Sequence, residues 1–181
     1  MKSLAIIPHE DDESLFLAYT LMRERPLVLV VTSGWIQYLR GNLGCHEDTR
    51  RAETVRAMEI LGCPVAFLGI KDTELTEELF RKRIGPFARL EFERIYAPAI
   101  QGGNPQHDLI GKIAGQSFSN CTYYTTYTKT ELWTKGEIEV VPTEEEKALK
   151  IKALECYKSQ INLGATRPHF LAVINKSEWL I

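Results

Sequence analysis

The 181-residue chain has no excess of positive charge and no long apolar run, and each absence excludes a class of protein. Lys and Arg number 22 against 24 Asp and Glu, so the net charge of -2 offers no basic surface for a phosphate backbone. No stretch approaches the roughly 20 apolar residues that span a bilayer, and the first residues lack the apolar core of a secretory signal. The sequence therefore predicts a cytoplasmic protein that binds neither nucleic acid nor a membrane.

Closely spaced cysteines, dinucleotide motifs and repeats are also absent. The four cysteines are scattered, which favours reduced thiols over a disulfide framework or a thiolate zinc site. No G-x-G-x-x-G follows the first predicted strand, so nucleotide binding is a weak hypothesis. Because no repeat, low-complexity tract or linker interrupts the chain, residues 1–181 are expected to form a single domain.

Short apolar runs alternate with amphipathic stretches along the chain. The runs predict strands at 3–7, 27–31, 65–68, 94–97 and 122–127, and the stretches predict helices at 14–24, 48–61, 73–83 and 107–114. Thr143 and Glu146 form the pattern of a capping box at the start of a long helix that we expect to end near Gly164. Residues 167–181 are ambiguous between strand and loop. This alternation predicts an α/β protein with an open, mainly parallel sheet flanked by helices.

An unusual density of acid follows the first predicted strand. Pro8 and His9 precede four consecutive carboxylates, Glu10 to Glu13. Like charges this close repel one another unless solvent, a helix N-terminus or a cation offsets them. A divalent metal would do so, whereas capping of the next helix is the simpler alternative.

A second polar segment, Gln101 to His107, follows the fourth predicted strand. In open α/β sheets the functional crevice lies at the carboxyl ends of the strands, where the strand order reverses. If strands one and four are neighbours there, His9, Asp12 and His107 can converge around zinc as two nitrogens and one oxygen. Such a site would also accept Fe²⁺. Taken alone, His107 is more typical of a helix start.

The segment from Pro8 to Glu13 resembles the A-H-P-D-D-E motif of the LmbE-like or PIG-L family of zinc-dependent N-deacetylases. Further similarities run in the family's order over residues 3 to about 162: they are Thr32 to Gly34, Arg50 with Glu53, Asp72, Asn104 to His107 against H-P-D-H, and Ser159 with Gln160. The resemblance implies a Rossmann-like (LmbE-like) fold and a zinc ion held by His9, Asp12 and His107. It also implies Asp11 as catalytic base and removal of the acetyl group from an N-acetylglucosamine-type sugar.

Three residues depart from the family pattern. Glu10 replaces a proline, Gln106 replaces the aspartate of H-P-D-H, and Asn104 replaces its first histidine. That histidine is thought to stabilise the oxyanion or to protonate the leaving amine. Asn104 can donate a hydrogen bond to an oxyanion but cannot deliver a proton. Asp11 could return the proton instead, and His46 is a second candidate acid.

Three further residues are predicted to contact the substrate. The resemblance favours Arg50, although an ion pair with Glu53 is the simpler interpretation. Asp72 could accept sugar hydroxyls or cap a helix. Trp35 could provide a platform for a sugar ring or pack in a lid. The alternatives in function are a zinc amidase acting on a non-sugar amide, and a metal- or carbohydrate-binding module without turnover; an oligomer is possible.

Overall fold

A seven-stranded sheet forms the centre of the protein in a computed structural model that describes residues 3–33, 47–161 and 167–181. The strands are β1 (Ser3–Ile7), β2 (Leu27–Thr32), β3 (Val65–Ile70), β4 (Arg94–Pro98), β5 (Cys121–Tyr124), β6 (Ile138–Val140) and β7 (Glu178–Leu180). Their order is β3-β2-β1-β4-β5-β7-β6, parallel from β3 to β5 and antiparallel at β7 and β6. The predicted α/β fold with a mainly parallel open sheet is confirmed, although the sequence did not predict β6 or β7.

Helices cover both faces of this sheet. They are α1 (Asp12–Phe16), α2 (Ala18–Glu24), α3 (Glu47–Leu61), α4 (Glu77–Ala88), α5 (Pro105–Ser117), α6 (Glu144–Leu154), α7 (Lys158–Ile161) and α8 (Arg167–Val173). Alternate residues of β1 explain the two layers: Ala5 and Ile7 pack with α1, α2 and α3, whereas Leu4 and Ile6 pack with α4 and α5. A strand buried on both faces is apolar throughout, which is why β1 is readily predicted. Within the described part of the chain, no helix is long and apolar enough to cross a bilayer.

The helix predicted over 14–24 is divided in two at Leu17, whose φ of -135° is not helical. In a continuous helix the Tyr19 N–H would donate to the Leu15 carbonyl. Here the Leu15 carbonyl accepts from Lys150 Nζ at 2.8 Å, and the Tyr19 N–H donates to Glu178 Oε2 at 2.9 Å. Two side chains from distant parts of the chain therefore satisfy the groups that the break releases.

Other helix boundaries also differ from the prediction. The helix expected at 73–83 begins only at Glu77, because the Thr76 hydroxyl accepts from the Leu79 N–H at 3.2 Å and caps α4 there. The capping box at Thr143 is confirmed, but α6 ends at Leu154 and α7 is a separate turn. Residues 167–181, ambiguous in the sequence, form α8 and β7.

Candidate active site

The reversal of strand order brings the two polar segments together. β1 pairs with β4, as the metal hypothesis required, and the loops that follow their carboxyl ends lie side by side. His9 Nδ1 lies 3.0 Å from Asp12 Oδ2 and 3.1 Å from His107 Nε2. His107 Nε2 is in turn 3.0 Å from Asp12 Oδ2, which completes a triangle of potential ligand atoms.

This triangle fits a divalent cation in both size and chemistry. Tetrahedral zinc with bonds of about 2.0–2.1 Å keeps its ligand atoms about 3.3 Å apart, close to the separations of these three atoms. Among the described residues, His9, Asp12 and His107 are the group of His, Cys, Asp and Glu side chains that could hold a metal ion. Three protein ligands would leave a coordination position for water or substrate.

The pKa values of Asp12 and His9 are shifted in opposite directions by the interaction between these groups. Burial alone would raise the pKa of Asp12, but the charges and hydrogen bonds of His107 and His9 lower it well below its ordinary range. Burial opposes a charge on His9, yet the hydrogen bond and charge of Asp12 raise the pKa of His9 to about 9. The cluster therefore attracts positive charge, as a cation site does.

Asp11 occupies a strained position beside this triangle. Its φ of 146° and ψ of -25° lie in a region that non-glycine residues rarely adopt. Its N–H donates to Glu13 Oε2 at 3.1 Å, and Glu13 Oε1 accepts from the Ser14 hydroxyl at 3.0 Å and from the Tyr157 hydroxyl. Burial, with the charges of Asp12 and Glu13, raises the pKa of Asp11 to about 7 although Arg50 opposes the shift.

Arg50 is buried and holds the acidic loop. Its Nη2 lies 3.5 Å from Asp11 Oδ2 and also donates to the Glu10 carbonyl, and its Nε lies 3.6 Å from Glu10 Oε2. Burial raises the pKa of Glu10 to about 8. Glu53, the other partner considered for Arg50, accepts hydrogen bonds from the Ser159 N–H and hydroxyl at 2.9 and 2.6 Å.

Asn104 and Asp72 both reach the same cavity. Asn104 is the N-cap of α5: its Oδ1 accepts from the Gln106 N–H at 2.8 Å, and its Nδ2 donates to the Tyr127 hydroxyl at 3.1 Å. Asp72 lies in a 3₁₀ turn whose N-cap is Lys71, and its Oδ1 is 3.7 Å from His9 Nε2. The Asp72 carboxylate therefore faces the metal ligands in this structure and does not cap the turn.

The cavity over the triangle has a volume of about 230 Å³ and gathers most of the predicted site residues. Its lining comprises His9, Asp11, Asp12, Leu15, Arg50, Asp72, Asn104, Gln106, Tyr127, Gln160 and His169. Trp35 and His46, which the sequence suggested as a sugar platform and an acid, lie outside the described residues. Sequence reasoning missed Tyr127 and His169, whose rings pack with their centroids 4.7 Å apart. No local signal marks His169, because only folding brings α8 to the cavity.

The fold and the site together define a Rossmann-like α/β protein with a metal-capable histidine–aspartate–histidine centre where the strand order reverses. The chain belongs to the PIG-L family, described as GlcNAc-PI de-N-acetylase, whose model matches residues 4–118. No curated protein matches the chain.

Solved structures with the same fold include proteins of more than one activity. The N,N'-diacetylchitobiose deacetylase of Pyrococcus horikoshii, in complex with an inhibitor, has a TM-score of 0.77 at 21% identity over 99% of this chain and 82% of that chain. The 4-carboxy-2-hydroxymuconate hydratase GalB of Pseudomonas putida has a TM-score of 0.72 at 18% identity over 99% and 95%. A zinc-inhibited form of a teicoplanin deacetylase has a TM-score of 0.67 at 16% identity over 99% and 97%. At these identities the likeness establishes the fold.

Proposed function

We propose that this protein is a divalent-metal-dependent N-deacetylase that hydrolyses the acetamide of an N-acetylglucosamine-type sugar or its conjugate. The observation that carries the proposal is the buried Asp11 carboxyl, which lines one cavity with His9 and Asp12, two of the three members of the ligand triangle. Membership of a family described as a de-N-acetylase supports the reaction, and the names of two structural neighbours, a chitobiose deacetylase and a teicoplanin deacetylase, support the type of substrate.

His9, Asp12 and His107 would hold the metal, which we propose to be zinc, with Fe²⁺ as the alternative. When bound, such an ion polarises a carbonyl oxygen and lowers the pKa of water toward about 7. Asp12 is the one anionic side chain of the triangle, so the ligand set carries a single negative charge. This leaves a divalent cation with a net positive charge, which favours electrophilic chemistry.

Asp11 would act as the general base that takes the proton from the attacking water. A base works best when its pKa lies near the working pH, and burial raises the pKa of Asp11 to about 7. The rigid loop supports this role, because Glu13 and Arg50 hold the Asp11 backbone and carboxylate from opposite ends. The strained backbone of Asp11 would then serve to aim its carboxylate into the cavity.

The leaving amine needs a proton when its C–N bond breaks, and we assign that proton to His169. Asn104 cannot supply it, so its proposed role is to donate a hydrogen bond to the oxyanion through its amide. His169 lines the same cavity and carries an imidazole, the side chain that most often transfers protons in catalysis. Replacement of His169 by Asn should lower kcat by roughly 10²- to 10⁴-fold with little change in KM.

Reintroduction of a histidine offers a control for this assignment. In the His169→Asn background, Asn104→His would return an imidazole to the position at which the family motif has one. Recovery of kcat in the double variant would support an acid missing from the single variant. An unchanged kcat in His169→Asn alone would remove His169 from the mechanism.

Arg50, Asp72 and Trp35 remain the proposed substrate contacts. Arg50 and Asp72 both line the cavity, where their charges suit the hydroxyl groups of a sugar. Because Arg50 also contacts Asp11, its replacement by Lys should affect kcat as well as KM. Asp72→Asn should raise KM chiefly for sugars, and not for simple N-acetyl amides.

Acetate release is the decisive measurement. A panel of N-acetylamino sugars, their glycosides and non-sugar N-acetyl amides would be assayed with zinc and with Fe²⁺, using wild type, Asp11→Asn and a control, Asp48→Asn, at an exposed position on α3. We expect wild type and Asp48→Asn to release acetate from the sugars and Asp11→Asn to release none. Turnover of non-sugar amides alone would overturn the substrate class. Metal binding without turnover on any compound would overturn the enzyme and favour a binding module.

A further inference from the structure

The His9 ring can bind a cation through Nδ1 only if the proton lies on its other nitrogen. A neutral imidazole carries one proton, and only the bare nitrogen can coordinate a metal. Nδ1 belongs to the ligand triangle, at 3.0 Å from Asp12 Oδ2 and 3.1 Å from His107 Nε2. Whatever contacts Nε2 therefore governs whether His9 is ready to bind.

Two groups lie near Nε2: Gln106 Oε1 at 2.5 Å and Asp72 Oδ1 at 3.7 Å, of which Gln106 is the one within hydrogen-bonding distance. The orientation of this amide is set independently of the histidine. Gln106 Nε2 lies 2.8 Å from the backbone carbonyl of Asp72, which can only accept a hydrogen bond. The amide NH₂ must therefore face Asp72, and its oxygen must face His9.

The backbone of Gln106 is held as firmly as its side chain. Its N–H donates to Asn104 Oδ1 at 2.8 Å in the first turn of α5, the helix that also carries His107. By contrast, the outer nitrogen of His107 lies 3.5 Å from the Thr126 hydroxyl, a long and weak contact. Of the two histidines, His9 is therefore the one whose outer nitrogen is closely held.

We propose that Gln106 is a positioning residue for the metal centre: its amide oxygen accepts the Nε2 proton of His9 and so presents Nδ1 to the cation. The inference rests on the metal site of the proposed function, but not on the substrate or the reaction. A bond of this kind restricts both the tautomer and the rotation of the ring.

A neutral amide at this position also sets the charge around the metal. The H-P-D-H motif has a carboxylate here, which would draw the His9 proton toward itself and make the ring a stronger donor. Gln106 accepts the proton without adding charge beside the ligand triangle, in which Asp12 is the one carboxylate. A Gln106→Glu variant should therefore hold zinc at least as tightly as the wild type.

Zinc affinity, measured by competition with a chromogenic chelator, tests the proposal without any substrate. Gln106→Met keeps the length of the side chain but removes the acceptor, and the loss of such an outer contact should raise the zinc Kd about 10- to 100-fold. Gln106→Glu should have a Kd equal to or below that of wild type. Gln116→Met makes the same change at an exposed position on the same helix and should bind zinc as wild type does.

The tautomer can be observed directly in the wild-type protein, even if a variant fails to fold. With zinc bound, ¹⁵N chemical shifts of His9 should report a protonated Nε2 and a coordinated Nδ1. A proton on Nδ1, a Gln106→Met Kd within twofold of wild type, or equal weakening by Met and Glu would overturn the proposal. Wild-type protein that binds zinc but releases no acetate would overturn the proposed reaction and leave this inference intact.

Discussion

The buried ion pair of Lys150 and Glu178 allows a sharp test of why the first helix is broken. Lys150 Nζ lies 2.8 Å from Glu178 Oε1, and each side chain also binds one backbone group released at Leu17. Burial lowers the pKa of Lys150 and raises the pKa of Glu178. Each charge therefore depends on the other.

Removal of one partner should be costly and removal of both should be less so. Lys150→Met or Glu178→Met leaves an uncompensated buried charge, and breaking such a pair costs about 3–5 kcal/mol of unfolding free energy. In the double variant both charges are gone, and the Tyr19 N–H can donate to the Leu15 carbonyl as in a continuous helix. We therefore expect the unfolding free energy of the double variant to lie within about 2 kcal/mol of the wild-type value, since an apolar replacement for a buried pair is often neutral.

Urea unfolding of the four proteins in a double-mutant cycle gives the coupling energy between the two side chains. The expected coupling is about 3 kcal/mol or more, because the two single costs should greatly exceed the double cost. Additive costs, or single variants within about 1 kcal/mol of wild type, would refute the idea that this pair holds the break open. An exposed control, Lys152→Met on the same helix, should change the free energy by less than about 0.5 kcal/mol.

Three further predictions concern the site and its surroundings. Tyr157→Phe removes a hydroxyl that donates to Glu13 and should lower the unfolding free energy by about 1.5–3 kcal/mol in urea titrations; a loss below about 0.5 kcal/mol would contradict it. The hydrogen bond and charge of Arg23 lower the pKa of Glu146 from 4.5 to about 2, so the stability gained is present above pH 4.5 and lost as the pH falls toward 2. Because Arg23 is partly exposed, solvent screening reduces this contribution to about 1 kcal/mol. The unfolding free energy of Arg23→Met should therefore lose this dependence on pH. If the dependence is unchanged in the variant, the pair of Arg23 and Glu146 is not what causes it. Zinc at 100 times its Kd should stabilise the wild type by about 2.7 kcal/mol and raise its Tm, whereas His107→Ala should show no such rise in thermal scans; an equal rise in both would place the metal elsewhere.

Local pattern was enough to predict the elements that bury an apolar face. β1 has the predicted bounds, and the capping box at Thr143 begins α6, because apolar spacing and caps act over a few neighbouring residues. The four carboxylates after β1 marked the metal-capable loop because they are consecutive in the sequence. The sequence analysis could only assume the pairing of β1 with β4, and the structure shows it.

Contacts between distant residues decided what the sequence could not. The break at Leu17 depends on Lys150 and Glu178. Glu178 lies in β7 and is buried there only because Lys150 of α6 pairs with it. Likewise, Gln106 meets His9 from 97 positions away, and His169 reaches the cavity from a segment without clear periodicity. Periodicity records which face of an element is apolar, not which polar groups meet across the core. The sequence by itself therefore determined β1 to β5, the main helices and the ligand loop, whereas the tertiary structure alone determined β6, β7 and the partners that orient the ligands.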